Sequence, residues 1–361
     1  MTRITHAAVS AYTIPTEGPE SDGTLEWSST TIVIVEASAG DVTGIGFTYG
    51  HKAVATLLED MLLPLVEGAD AMDVAACWVA MTKAVRNQGR RGIASMAIAA
   101  ADVALWDLKA RLLNVPLVAL LGQVRDSVPL YGSGGFTSYS IDELQAQLAG
   151  WVQSGITRVK IKVGRQPNED AGRVKAAREA IGSTAELFVD ANGAYDRKQA
   201  LAQAEAFADA GVAWFEEPVS SDDLEGLRLL RDRGPAAMDI AAGEYGYDVY
   251  DFRHLLEAGA VDVLQADATR CAGITGFLQV GALCDAHNLP LSSHTASAIH
   301  LHPCWALSRV RHLEHFHDHA RIERLLFDGV VEPVNGMLQP DLSRSGLGLT
   351  LKRVDARQYA A

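Results

Sequence analysis

Seven ionisable residues in the second half of the sequence recur at nearly constant intervals. Lys162, Asp190, Glu216, Glu244, Asp267, His294 and Glu314 follow one another at steps of 28, 26, 28, 23, 27 and 20 residues. Each closes a short apolar run that does not itself call for a charge, as in "LFVDAN", "AWFEEP" and "LPLSSH". Three carboxylates brought into one small volume repel unless a cation neutralises them. An all-oxygen set without cysteine favours a hard ion, and Mg2+ is the usual choice. Taken singly, Asp190, Glu216 or Glu244 is equally well read as the cap of a following helix. Three at one strand depth favour the metal. Glu217, next to Glu216, fits a supporting position or a helix start better than a fourth ligand.

The stretch "RVKIKV" (158–163) places Lys160 and Lys162 on one face of a strand, because residues i and i+2 point the same way. Facing outward, the two ammonium groups would meet the helices packed around the strand. Facing inward, they stand beside the acidic site, where each other's charge and a bound dication disfavour protonation. The pKa of one should then fall, which makes a general base. Asp267 and His294 end neighbouring units, and a carboxylate bonded to imidazole fixes its tautomer and raises its basicity. Alone, His294 in "SSHTAS" also reads as a helix cap. A metal flanked by two bases suits removal of a proton next to a carboxylate. Glu314 serves the same oxygens if the surrounding anions keep it protonated.

These intervals are those of one strand, one helix and their loops. Strand candidates fall at 127–133, 158–163, 187–192, 213–218, 238–244, 261–267, 289–294 and 311–316, with Ala-rich helical stretches such as 196–211 and 273–288 between them. Eight strands with seven helical crossovers give a parallel (β/α) barrel, whose C-terminal strand ends meet at one mouth. Residues 1–50 read as strands joined by turns, and 52–122 turn helical, so an α+β unit precedes the barrel. Between them, residues 15–29 ("PTEGPESDGTLEWSS") are polar and punctuated by Gly and Pro, which predicts a mobile loop. The turn-rich segment from "FDGVV" onward is expected to run back over the first unit.

Composition excludes several classes. The 361 residues carry a formal net charge of −14 and no concentrated basic patch, which disfavours nucleic acid and anionic membranes as partners. The most apolar long stretch, 92–106, is too short to span a bilayer and contains Asp102. The N-terminus lacks the apolar core of a signal peptide. Four scattered cysteines without a CxxC pair read as reduced thiols, so a cytoplasmic location is expected. No Gly-rich phosphate loop is evident. Eight of the eleven histidines lie between His287 and His319, including "HLH" and "HFHDH". A zinc hydrolase barrel would place its HxH pair at the first strand, whereas these pairs come at and after the last two. His315 and His317 are candidates for the barrel mouth or for a solvated loop.

With these residues in hand, the chain resembles the enolase superfamily and, within it, the mandelate racemase subgroup. The motifs "KIK", "DAN", "EEP", "GE", "QAD" and "SSH" match that family's barrel motifs in order, and 92–122 resembles its cap helix and barrel entry. The resemblance implies a modified (β/α)7β TIM-type barrel at 126–324, and an α+β capping domain at 1–125 completed by a C-terminal return at 325–361. It implies that Asp190, Glu216 and Glu244 bind Mg2+, that Lys162 is the base on one face with Lys160 beside it, and that His294 backed by Asp267 is the acid/base on the other. It implies that Glu314 polarises the substrate carboxylate, that cap loops 15–29 and 48–51 choose the substrate, and that the protein forms a homo-oligomer. The activity expected is dehydration of a sugar acid, an aldonate or aldarate, to a 2-keto-3-deoxy acid. Racemisation or epimerisation of a 2-hydroxy acid, lactone cycloisomerisation, and non-catalytic binding of a sugar acid are the alternatives.

Overall fold

The computed structural model describes residues 2–361. Three strands form the N-terminal sheet: β1 (His6–Ser21), β2 (Glu26–Ala39) and β3 (Val42–Tyr49), antiparallel in the order β1-β2-β3. The β-branched run Thr30–Val35 supplies the pairing surface, and alternate residues bury toward two cores. The helix Ile93–Leu112 lies across this sheet and is buried on almost every side. Alanine dominates it because β3 approaches its backbone directly. A Cβ at Gly44 would stand 2.3 Å from Leu108 N, and one at Gly46 2.3 Å from Ala100 O.

Eight parallel strands follow: β4 (Val128–Gly134), β5 (Arg158–Lys162), β6 (Glu186–Asp190), β7 (Val212–Glu216), β8 (Asp239–Ala242), β9 (Val263–Ala266), β10 (Leu291–Ser293) and β11 (Val310–Phe316). Each pairs with the next, and β11 pairs back to β4 through Leu313↔Leu130, so the sheet closes. Seven helices cross between the eight strands, which makes this a (β/α)7β barrel. Its floor is aromatic. Tyr131, Phe188, Trp214 and His312 pack within 4.8–6.3 Å of one another, centroid to centroid, below the charged layer.

The loop expected to be mobile is instead the end of a hairpin. After a register shift past Pro15, pairing resumes with Glu20↔Trp27 and Ser21↔Glu26. At the tip, Asp22 Oδ1 accepts from Thr24 N (2.6 Å) and Leu25 N (2.7 Å). Barrel groups hold the tip down: Thr137 N donates to Ser21 O (2.8 Å) and Thr137 Oγ1 to Asp22 O (2.8 Å). A Cβ at Gly23 would meet Ala191 O at 2.4 Å, so only glycine fits against the barrel there. The polar composition that looked like a solvated loop serves contacts with the barrel rim.

Two fully buried aspartates on the long helix join the parts. Asp102 accepts from Thr275 N (2.9 Å) and Thr275 Oγ1 (2.6 Å) on the barrel. Asp107 accepts from Ile45 N (2.7 Å) in the sheet, Leu347 N (2.6 Å) in the C-terminal segment and Arg111 Nε (2.6 Å). That segment pairs Met337–Leu338 with β4 and ends with Ala361 N on Ala11 O (3.0 Å). Asp107→Ala strands two buried N–H groups and a guanidinium, and we expect a loss of roughly 3 kcal/mol in urea unfolding, since each orphaned group costs about 1–3 kcal/mol.

Candidate active site

All eight site residues expected from sequence converge at the C-terminal end of the barrel. Lys160 and Lys162 on β5 point inward, as the strand alternation requires once the outer face is covered by helices. Lys160 is fully buried, with its Nζ 2.6 Å from both oxygens of Glu216, 2.8 Å from Glu314 Oε1 and 3.6 Å from Asp190 Oδ2. Lys162 Nζ bonds Asp190 Oδ2. Across the mouth, His294 Nδ1 lies 2.9 Å from Asp267 Oδ2, and its Nε2 lies 3.3 Å from Glu244 Oε2. Asp267 Oδ1 is fixed by Thr269 N and Thr269 Oγ1, both at 2.7 Å. Glu314 Oε2 accepts from Thr295 N at 2.8 Å. Three non-glycine residues that follow site strands sit at positive φ: Asn192 (46°), Glu217 (38°) and Thr295 (47°). Such backbone strain is held where a site over-determines it.

Asp190, Glu216 and Glu244 offer one carboxylate oxygen each, all within 4.8 Å of one another and all buried. Burial and the neighbouring Asp190 push Glu216 up to about 8 in spite of Lys160. Glu244 Oε2 has no well-aligned hydrogen bond. Crowded carboxylate oxygens whose repulsion the protein only partly offsets fit a hard dication. His300 and His302 of "HLH" are not part of this set. His300 Nε2 accepts from Ala268 N (2.7 Å) and His302 Nδ1 from Val118 N (3.1 Å), so both are structural. Glu217 is not at a helix start, since the next helix is Leu224–Arg233. It is buried, and burial together with Glu244 raises its carboxyl well above the usual range.

Two expectations about protonation need correction. Burial alone would lower the lysines, but the carboxylates outweigh it: Glu216 and Glu314 hold Lys160 well above its ordinary value, and Asp190 holds Lys162 up. The predicted fall presupposed a dication among the acids, and among the protein's own charges the anions prevail. Burial likewise favours a neutral Glu314, yet Lys160 at 2.8 Å carries it down to about 2, so Glu314 is ionised rather than protonated.

The site opens into a cavity of about 420 Å3 walled by barrel residues and by both cap loops, including Trp27, Thr30, Tyr49 and His51. His319 lines it, stacked on Tyr49 with ring centroids 3.5 Å apart. His315 and His317 do not line it; His315 is buried and His317 meets Glu17 at 3.3 Å. Sequence reasoning missed Arg270, which donates to Glu244 Oε1 (3.1 Å) and lies 3.7 Å from Asp267 Oδ2. Its one signal was a position three residues after Asp267.

A closed (β/α)7β barrel with acids, lysines and a His–Asp pair at strand ends defines a barrel enzyme of the enolase type. The chain belongs to the mandelate racemase/muconate lactonizing enzyme family: residues 8–122 match the model for that family's N-terminal domain, and residues 143–355 match the model described as enolase C-terminal domain-like. A mandelate racemase/muconate lactonizing enzyme-like protein from Rubrobacter xylanophilus superposes with TM-score 0.98 at 56% identity, over 99% of this chain and 100% of that one. A 3,6-anhydro-alpha-L-galactonate cycloisomerase of Streptomyces coelicolor is 36% identical over 80% of this chain and 79% of its own length. An L-talarate/galactarate dehydratase of Salmonella typhimurium is 36% identical over 91% of this chain and 82% of its own length. A mutant L-talarate/galactarate dehydratase liganded with Mg and L-glucarate superposes with TM-score 0.92 at 31% identity, over 99% of this chain and 92% of that one.

Burial lowers the charged form of His294, but Glu244 and the bond to Asp267 outweigh it and push the imidazole up to about 10 from 6.5. A raised histidine contributes stability that is complete below about 6.5 and lost as the pH rises through about 10. After EDTA treatment, the protein should therefore lose stability across that window. Asp267→Asn should flatten the slope and lower the His294 titration seen by 15N NMR by at least about one unit. An unchanged titration would separate Asp267 from His294.

Proposed function

We propose that the protein is a Mg2+-dependent enzyme that removes the proton on C2 of a sugar acid and eliminates the C3 hydroxyl, releasing a 2-keto-3-deoxy acid. One observation carries this reading: Lys162 and His294 face the same cavity from opposite sides of the mouth, with the three acids on the strands between them. Asp190, Glu216 and Glu244 would hold the ion, which when bound supplies the positive charge that a substrate carboxylate and its developing anion require. Lys162 takes the C2 proton as a neutral amine, a form that requires Asp190, which holds its ammonium in the structure, to be engaged by the ion instead. Lys160 also meets the substrate carboxylate, oriented by Glu314. His294, its ring fixed by Asp267 on Nδ1, delivers a proton from Nε2 to the C3 hydroxyl, which leaves as water.

A base on each side serves proton return to C2 equally well, and one relative at 36% identity is named a cycloisomerase. Racemisation, epimerisation and cycloisomerisation therefore stand as the second reading. We divide the roles as cap (1–125 with the return 325–361) and catalytic barrel (126–324). Four buried free cysteines are compatible with a cytoplasmic location, and among the described residues no helix is long and apolar enough to cross a membrane. The family resemblance supports a homo-oligomer acting on a small carboxylate.

The test is incubation with Mg2+ and a panel of sugar acids in D2O. We expect 2-keto-3-deoxy product. Lys162→Met and His294→Asn should each cut kcat by roughly 10³-fold, in the range general acid–base groups supply. Deuterium at C2 without keto product would establish the second reading, and full activity in both variants would overturn the base assignment.

A further inference from the structure

The charges lining the cavity are unevenly placed, and this bears on the substrate. The inference rests on the function proposed above. Among the described residues, Lys162 and Arg270 are the only lysine or arginine side chains lining the cavity, and His294 stands with them on the barrel side. Lys162 and Arg270 are both engaged, Lys162 with Asp190 and Arg270 with Glu244. The opposite wall comes from the cap hairpin and carries Asp22, Trp27, Ser29 and Thr30. Two histidines border the cavity near it, His51 after β3 and His319 on the helix His317–Leu326. His51 accepts Ala53 N on Nδ1 (3.1 Å), and burial pushes His319 down to about 3.

Behind that wall lie two more acids, Asp318 and Glu20, the latter pushed up to about 8 by burial and by Asp318. Glu20 Oε2 accepts from Trp27 Nε1 (2.9 Å), and Asp318 accepts from Thr30 Oγ1. Arg321 is committed to Asp318 and to Pro15 O (2.8 Å). Asp22 is buried, and its three turn bonds, from Thr24 N, Thr24 Oγ1 and Leu25 N, all go to Oδ1. Its Oδ2 is left to accept from whatever fills the cavity. A wall of hydroxyls, an indole edge and a carboxylate suits a chain of hydroxyl groups. It offers no cation to a second substrate carboxylate, which would stand beside Asp22 with hydroxyl donors alone.

We infer that the substrate is a sugar acid with a single carboxylate, an aldonate, and that Asp22 is a specificity-determining residue that accepts hydroxyls of the polyol tail and rejects an aldarate. The test uses matched pairs of acids with the same stereochemistry, one ending in CH2OH and the other in COO−. Each pair is assayed with Mg2+-loaded enzyme for C2 deuterium exchange and for product. The aldonate should be favoured on the order of 100-fold in kcat/KM, the scale of an unpaired like-charge contact. Asp22→Asn keeps the acceptor used in the turn and should shrink that ratio about tenfold. Ser29→Arg, on an exposed stretch of the same wall, should also move the ratio toward the aldarate. An aldarate processed as well as its aldonate partner overturns the inference while leaving the proton-abstraction reading intact, because C2 exchange still occurs. Ratios unchanged in both variants overturn the role of Asp22. No exchange with any acid of either series removes the functional reading and this inference together.

Discussion

Buried charge must be balanced, and the balance at the barrel mouth governs the rest of this structure. Five buried carboxylates, Asp190, Glu216, Glu244, Asp267 and Glu314, face Lys160, Lys162, Arg270 and His294. No strand supplies more than one acid to this group, so the arrangement exists only when the barrel closes. An isolated charge in such surroundings is costly enough to neutralise itself by a pKa shift. Every cation here instead touches at least one carboxylate, and the anions retain an excess around Asp190, Glu216 and Glu244. That excess is unfavourable for folding alone and is what a dication would relieve. The aromatic floor of Tyr131, Phe188 and Trp214 keeps water from the lower side and so sharpens the effect.

The cap answers a different requirement. A barrel mouth left open would leave the site in water, where fixed charges act weakly. The β1–β2 hairpin lies over the rim, and its backbone is bonded to Thr137 and packed on Ala191. Asp102 and Asp107 tie the long helix to the barrel, the sheet and the C-terminal segment, which fixes where that hairpin falls. The cavity is thus lined by Lys162, Glu244, His294 and Glu314 from the barrel and by Asp22, Trp27 and Thr30 from the hairpin.

The barrel was legible in the sequence because two independent signals agree: apolar runs at strand length, and a polar residue at the end of each. Strand ends fall within a few residues of the expected positions, and alternation puts Lys160 and Lys162 on one face, which the structure turns inward. Other features depended on three-dimensional placement. Residues 15–29 read as mobile because the groups that dock the hairpin tip, Thr137 and Ala191, lie more than a hundred residues away. The protonation of Glu314 and the lysines turns on which charges stand nearest, at distances that spacing does not encode. Arg270 has no motif of its own, and its contact with Glu244 arises only from strand order.

The central claim is that three acids from consecutive strands form one cation site. The most direct test is a crystal soaked in Mn2+ and measured for anomalous scattering. The account predicts one strong peak among Asp190, Glu216 and Glu244, about 2.1–2.3 Å from an oxygen of each, as a hard divalent ion requires. A peak elsewhere, or none with these carboxylates still bound to the lysines at saturating metal, would contradict it.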